Sequence, residues 1–381
     1  MFGGLIDARD AFDAIARGTD VYLFLAGMMV LAEIARHEGV FDWLAARAVE
    51  SARGSARRLF VLVYAVGVAV TIVLSNDATA IVLTPAVATA VRRANVPALP
   101  YVFACALVAN AASFVLPISN PANLIVFGGN LLALATWIRA FGPPSIGAIV
   151  VTFAVLWWLS RDDLASRLTP ASTRAELGAS GTIAFAGIGL AALALVTTSA
   201  LRGPIGVVTC ASAVVVLAAV AFVHRAGANV AIRSVSWSIL VLVASLFVLV
   251  AGLTRTGAID AVRVALESLA AKPDWFALTA VSFSTAFASN VTNNLPLGVV
   301  AGAALARADL AEPFRYAATI GIDLGPNLSL TGSLATILWL TALRREGIPM
   351  DALRFLRTGA IAMPAALVAA TALLATLRGA H

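Results

Sequence analysis

Apolar residues run along the chain in stretches near 20–36, 143–160, 180–200, 203–224, 236–254 and 356–377. At roughly 20 residues each, these match a hydrocarbon core about 30 Å thick and predict plain membrane-spanning helices. Two longer regions, 98–138 and 313–343, are interrupted midway by Pro, Gly, Ser and Asn, and each reads as one broken crossing. Two others, 58–92 and 274–306, each have an apolar arm, an asparagine-rich tip and a second apolar arm carrying Pro85 or Pro296. They predict re-entrant helical hairpins. Ahead of each hairpin, residues 41–50 and 259–269 set apolar positions at helical spacing against charged ones, the pattern of a helix lying in the interface.

Setting Asn76 against Asn290 aligns a helix, an interfacial helix, a hairpin, a broken helix and a final helix in two halves of the chain, so the unit is repeated. The first repeat spans 1–160, a cytoplasmic linker 161–179, and the second repeat 180–381. The second opens with two helices, 180–200 and 203–224, that have no counterpart ahead of Val21. The expectation is therefore a first repeat lacking two N-terminal helices, through a downstream start or a real loss. With re-entrant hairpins, both units cross an odd number of times, which places them in opposite orientations. The fold class is an all-α polytopic membrane protein of inverted repeats, an architecture suited to alternating access.

Composition agrees with a membrane protein. Of 381 residues, 61% are hydrophobic and 12% charged, with a mean hydropathy of +0.94, which leaves too little polar surface for a soluble globule. The 26 basic residues outnumber the 20 acidic ones, but they lie singly or in pairs between apolar runs, as loop charge set by topology and not as a nucleic-acid surface. Sixteen of the 26 basic residues, among them Arg36, Arg92, Arg161, Arg233, Arg344 and Arg357, fall on one side, and the positive-inside tendency makes that side cytoplasmic. No removable signal is evident in residues 1–20. Cys105 and Cys210 sit in distant apolar segments, unsuited to a disulfide framework or a thiolate metal site. Neither a phosphate loop nor an ATPase motif is present. The reading is a transporter, not an enzyme, with no cofactor and an ion gradient as its energy source.

Polar residues concentrate at four places within the apolar sequence. Tip one offers Ser75, Asn76 and Asp77, and break one Ser119, Asn120 and Asn123. Tip two offers Asn290, Thr292, Asn293 and Asn294, and break two Asp323, Asn327, Thr331 and Ser333. Any one of these could be a helix cap or an interhelical hydrogen bond. Their presence at tips and breaks of both repeats points instead to a midplane binding cavity built from half-helix ends. Asp77 and Asp323 are carboxylates embedded in apolar sequence, where an aspartate costs about 2.5 to 3.5 kcal/mol to insert. Burial favours the neutral form of such an acid, so both are candidates for proton coupling, Asp77 ahead of Asp323. Glu33, beside Arg36, His37 and Glu38, reads as an interfacial charge cluster. His37, His224 and His381 lie at segment ends, which disfavours a histidine proton switch.

Four stretches carry a family resemblance. They are Ser75-Asn76-Asp77 leading to Leu83-Thr84-Pro85, Ala112-Ser113 leading to Ser119-Asn120 and Asn123-Leu124, Asn293-Asn294-Leu295-Pro296, and Gly321-Ile322-Asp323-Leu324-Gly325-Pro326-Asn327 leading to Thr331-Gly332-Ser333-Leu334-Ala335-Thr336. In these the chain resembles the arsenite and antimonite efflux permeases, the ArsB type of the ion transporter superfamily. The likeness runs from about Val21 to the C-terminus. It implies export of arsenite and antimonite in exchange for protons across the inner (plasma) membrane, in some settings assisted by a cytoplasmic arsenite-stimulated ATPase subunit. Two departures stand out: the two absent helices, and Pro121 after Asn120 where an aliphatic residue is expected.

The chemistry suits that cargo. Trivalent arsenic in neutral water is mostly the uncharged trihydroxide, whose hydroxyls both donate and accept, as do amide and hydroxyl side chains. Inward proton movement then lets the pH gradient and the membrane potential both drive export. The rival readings are a sodium/proton antiporter or an organic anion carrier of the same superfamily, and a non-transporting receptor or scaffold subunit.

Overall fold

The computed structural model describes residues 6–128, 131–169 and 176–378, and among these the secondary structure is helical with no strand. The first half comprises α1 (Ala8–Arg17), α2 (Thr19–His37), α3 (Val40–Ser51), α4 (Ala56–Val73), α5 (Asn76–Ala78), α6 (Thr84–Arg93), α7 (Leu99–Ala111), α8 (Pro121–Phe127) and α9 (Leu134–Leu159). Next come α10 (Ala179–Ala200) and α11 (Ile205–Val223). The second half holds α12 (Arg225–Ser234), α13 (Ser238–Arg255), α14 (Ala258–Ala270), α15 (Asp274–Thr292), α16 (Asn294–Leu305), α17 (Glu312–Leu324), α18 (Leu334–Arg345) and α19 (Ala352–Arg378). Six helices or continuous helical stretches among the described residues are long and apolar enough to span a bilayer, and α1 with α2, bent by 52°, makes a seventh. Part of the expected linker, residues 170–175, lies outside the described residues, as do Arg174 and His381.

Packing follows the repeat. The interfacial helix α3 packs on both arms of the first hairpin, α4 and α6, and α14 packs on both arms of the second, α15 and α16. Within each half the first hairpin arm packs on the first part of the broken helix, α4 on α7 and α15 on α17. Across the halves, α8 packs on α16, α18 on the second arm of hairpin one, and α9 on α19. The helices that precede the first spans are exchanged: α1 packs on α13 and α12 on α2. That pair did not emerge from hydropathy, because α1 and α12 are each 10 residues long and strongly amphipathic. α10 and α11 pack together against α2. Close approach there rests on Gly27, where an added Cβ would lie 2.7 Å from the Thr209 carbonyl carbon, the use of a small residue between membrane helices. The Gly206 amide also donates to Asp20 at 2.9 Å.

Two boundaries differ from expectation. The second part of the first broken helix ends at Phe127, and α9 begins at Leu134 instead of 143 and runs through Pro143 and Pro144. Proline deletes a backbone donor and sequence reasoning therefore starts a helix there; in a long helix braced along its length by α19, the two lost bonds are tolerated. In hairpin one, Pro85 similarly removes a donor, and the preceding residues Thr79–Leu83 widen into a π-helical turn. The Thr84 hydroxyl then donates to the Thr79 carbonyl at 3.2 Å.

Candidate transport site

The half-helix starts are capped by the polar residues of the breaks. Asn120 accepts from the Ala122 amide at 3.0 Å and begins α8. Pro121, unexpected by family likeness, is the first residue of α8, where a missing amide hydrogen costs nothing and a fixed φ helps. Ser333 begins α18 with a capping box: its hydroxyl accepts from the Thr336 amide at 3.1 Å, and Thr336 accepts in turn from the Ser333 amide at 3.2 Å. At tip one the Ser75 hydroxyl accepts from the Ala78 amide at 3.2 Å, and the Asn76 side chain accepts from the Asp77 amide at 2.9 Å.

The centre of the molecule is a polar network spanning both breaks. Asp323 lies fully buried, with Ser113 Oγ 2.7 Å from one carboxylate oxygen and Asn120 Nδ2 donating to the other at 2.8 Å. Asn110 Nδ2 donates to Asn327 Oδ1 at 2.8 Å, Asn327 Nδ2 to the Leu107 carbonyl at 3.0 Å, and Asn123 Nδ2 to the Ser113 carbonyl at 2.9 Å. Ser119 donates to the Ile72 carbonyl at 3.3 Å. Asn110 was not among the sequence candidates; its signal was an amide alone in the otherwise apolar run of α7.

A second network ties tip two to break two. Asn290 donates to the carbonyls of Ala286 and Gly325 at 2.7 and 2.9 Å and accepts from Ser329 at 2.5 Å. Thr331 donates to the Asn290 carbonyl at 2.9 Å, Asn293 to the Thr331 carbonyl at 3.3 Å, and the Asn294 amide to the Gly332 carbonyl at 2.9 Å. Thr292 stands apart, exposed, returning its hydroxyl to the Ala288 carbonyl of its own helix.

Two cavities open at opposite ends of α2. One, about 710 Å³, is bordered by α2 from Leu25 to Arg36, by tip one at Ser75 and Asp77, and by α18 near Arg345 and Glu346. The Asp77 carboxylate has no hydrogen-bond or ion-pair partner among the described residues and faces this space. Glu33 and Asp42 line it too, so the charge cluster read as merely interfacial forms part of the wall. With four acids, Glu33, Asp42, Asp77 and Glu346, against Arg36 and Arg345, the lining is net acidic. Arg92 of α6 is paired with Glu346 at the rim, joining hairpin one to the second repeat.

The other cavity, about 1040 Å³, lies between α1, α8, the end of α13 and α16. It is the repeat-related position of the first, with basic Arg17, Arg255, Arg307 and Arg315 outnumbering Asp10 and Asp13. It reaches hairpin two only from Val299 onward, and so stops short of tip two. The cavities are thus unequal in depth: one reaches its hairpin tip and the other does not. Of the sequence candidates, Ser75 and Asp77 border the first of these two cavities and none borders the second; Ser119, Asn120, Asn123, Asp323 and Asn327 are buried between the repeats, whereas Thr292 and Thr331 are exposed.

Repeated hairpins and broken helices around two opposed cavities define a polytopic membrane transporter. The chain belongs to the citrate transporter family (CitMHS), whose model matches residues 1–321. It is 27% identical over 346 residues to an arsenical pump membrane protein of Escherichia coli, covering 88% of this chain and 81% of that one. The arsenical pump membrane protein of Yersinia enterocolitica is 28% identical over the same shares of both chains. These relatives bear out the resemblance to arsenite permeases. The fold matches the YdaH transporter of Alcanivorax borkumensis, described as having an unusual topology, with a TM-score of 0.61 over 98% of this chain and 90% of that one, at 15% identity.

Proposed function

We propose that this protein exports arsenite and antimonite, as neutral trihydroxides, in exchange for protons across the inner (plasma) membrane. The observation that carries the reading is the unpartnered Asp77 carboxylate at the end of an open cavity, in a chain similar to arsenical pump membrane proteins. With the arginine-rich side inside, the Asp77 cavity opens to the cytoplasm. Cargo enters there and meets Ser75 beside Asp77, with Asn76 bracing the tip behind them. When the opposite face opens, Asn293 of hairpin two and Thr331 of break two provide the repeat-related surface. Protonation of Asp77 from outside favours return of the empty site, and substrate and proton compete for one space. A cytoplasmic ATPase subunit would dock on the same face as the cavity mouth.

The unpaired Asp77 carboxylate at tip one supports an uncharged cargo over the organic anion in the family's description, since it repels an approaching anion. The test is uptake into everted vesicles energised acidic and positive inside, with arsenite, citrate and sodium arms run in parallel. Uncoupler-sensitive arsenite accumulation supports the reading. Citrate movement or sodium/proton exchange without arsenite accumulation refutes it.

A further inference from the structure

The end of hairpin one remote from its tip carries arginines that the scheme above leaves unused. They come from three chain segments: the turn into α4 (residues 53–58), the turn after α6 (92–95) and the stretch after α9 (161–169). Main-chain bonds knit the three together. The Leu168 amide donates to the Gly54 carbonyl at 3.1 Å, and the Thr169 amide to the Ala94 carbonyl at 3.0 Å. Ser55 and Arg167 form an isolated antiparallel bridge between them. Leu164 and Leu168 are buried, so the third segment is anchored as a strap across the base of the hairpin.

Backbone bonding and apolar burial hold this junction, and its charges take no part in holding it. The three segments contain seven arginines against two acids, Asp162 and Asp163. Arg53, Arg57, Arg58 and Arg167 are exposed, and among the described residues none of them forms an ion pair. Other arginines assigned to the same face differ: Arg36 and Arg47 meet Glu33 and Glu50 at 2.6 and 2.9 Å. Arg92 of the junction is likewise taken up by Glu346. Like charges gathered without counter-charges repel one another and attract an anion from outside.

The surroundings select the kind of anion. At this end α4 and α9 run side by side, with the Phe60 and Trp157 rings 6.0 Å apart. The next residue of each helix, Val61 or Trp158, is exposed, as is Leu159. Arg57 and Arg58 stand one turn before Val61 at the start of α4, and Arg161 follows α9 two residues after Leu159. Arg167 is tied to the same helix start through its bridge to Ser55. Arginines at the rim of exposed aliphatic and indole surface match the edge of a bilayer, where indoles lie at headgroup depth and guanidinium groups meet phosphates. An acidic soluble protein would have to cover surface that belongs in hydrocarbon.

We propose that this junction binds the headgroup of an anionic phospholipid from the leaflet on its side of the membrane, with Arg57, Arg58, Arg161 and Arg167 supplying the charge and Val61 and Trp158 lying against the acyl chains. The site is separate from the Asp77 cavity, so the inference does not depend on the cargo.

The experiment is thermal unfolding of the purified full chain in detergent micelles at low salt, titrated with phosphatidylglycerol, phosphatidylcholine, inorganic phosphate or polyglutamate, and read by tryptophan fluorescence. The expected result is a saturable rise in the midpoint with phosphatidylglycerol that the other three do not produce and that shrinks at high salt. The double variant Arg57→Gln with Arg58→Gln loses at least half of the rise. Arg225→Gln with Arg233→Gln, two exposed arginines of α12 and the same loss of charge, keeps it. Equal midpoints in phosphatidylglycerol and phosphatidylcholine overturn the proposal, and that result needs only the parent chain. An equal loss in both double variants also overturns it, since general attraction to positive charge then suffices. A matching rise with inorganic phosphate overturns it in favour of a free-anion site, and one with polyglutamate in favour of an acidic protein partner. Arsenite flux is read separately in vesicles and bears on none of these outcomes.

Discussion

Asn120 of the first repeat donates from Nδ2 to the Asp323 carboxylate of the second at 2.8 Å. The bond is one of several by which the two breaks hold each other: Asn110 reaches Asn327, and Asn327 returns to the Leu107 carbonyl. Truncating Asp323 to Ala leaves the Asn120 donor buried without an acceptor, at about 1 to 3 kcal/mol, while Ser113 retains the Asn110 carbonyl. Asp323→Ala is expected to lower the unfolding midpoint clearly more than Asp323→Asn, as measured by tryptophan fluorescence during heating.

Asp77 makes the opposite case, since it holds nothing together. Asp77→Asn should leave the unfolding midpoint within about 1 kcal/mol of the parent, as for substitutions away from packed contacts, while gradient-driven arsenite accumulation falls to the passive level. Counterflow of labelled arsenite, which needs no proton, is expected to survive. Parental accumulation by the variant would remove Asp77 from the mechanism.

Tip two is strained. Asn293 has φ +75° and ψ 149°, a region open mainly to glycine, and such a residue stores about 1 to 3 kcal/mol. Its own bonds are long, 3.3 Å to the Thr331 carbonyl and 3.4 Å from the Leu295 amide. Asn293→Gly should therefore match or exceed the parent in stability, and Asn293→Val should fall below it. A midpoint for the valine variant equal to that of the glycine variant would show that the strain is not real.

Helix α17 lies close against α15 at Gly321, where an added Cβ would run into the Thr285 hydroxyl and the Ser282 carbonyl. Gly321→Ala should separate the two helices at a cost of about 1 to 3 kcal/mol, the range for overpacking. The unfolding midpoints of the parent and the variant report the effect.

Asn290→Ala should be the most damaging change at tip two. It removes donors to Ala286 and Gly325 and the acceptor for Ser329, a loss of about 2 to 4 kcal/mol by ordinary hydrogen-bond magnitudes. Limited proteolysis of the variant is expected to cut near hairpin two first.

Most of the element plan was legible from the chain because membrane depth leaves little freedom: an apolar run of sufficient length must be a helix, and a polar interruption must be satisfied inside the protein. The pattern thus located the hairpin tips, the breaks and the polar residues in them. It stopped α9 in the wrong place because Pro143 and Pro144 look like a helix start when their neighbours are unknown. It passed over α1 and α12, whose apolar faces gain meaning only against α13 and α2 of the other half.

What the sequence determined by itself was which residues are polar at depth, since that depends on local composition. Which of them open onto a cavity was decided by tertiary structure alone. Asp77 and Asp323 have equivalent credentials as isolated acids in apolar sequence, yet one borders an open cavity and the other is enclosed by donors from the opposite repeat. Exposure and hydrogen bonding are properties of what packs alongside, and the partners of Asp323 lie 203 and 210 positions away in the chain.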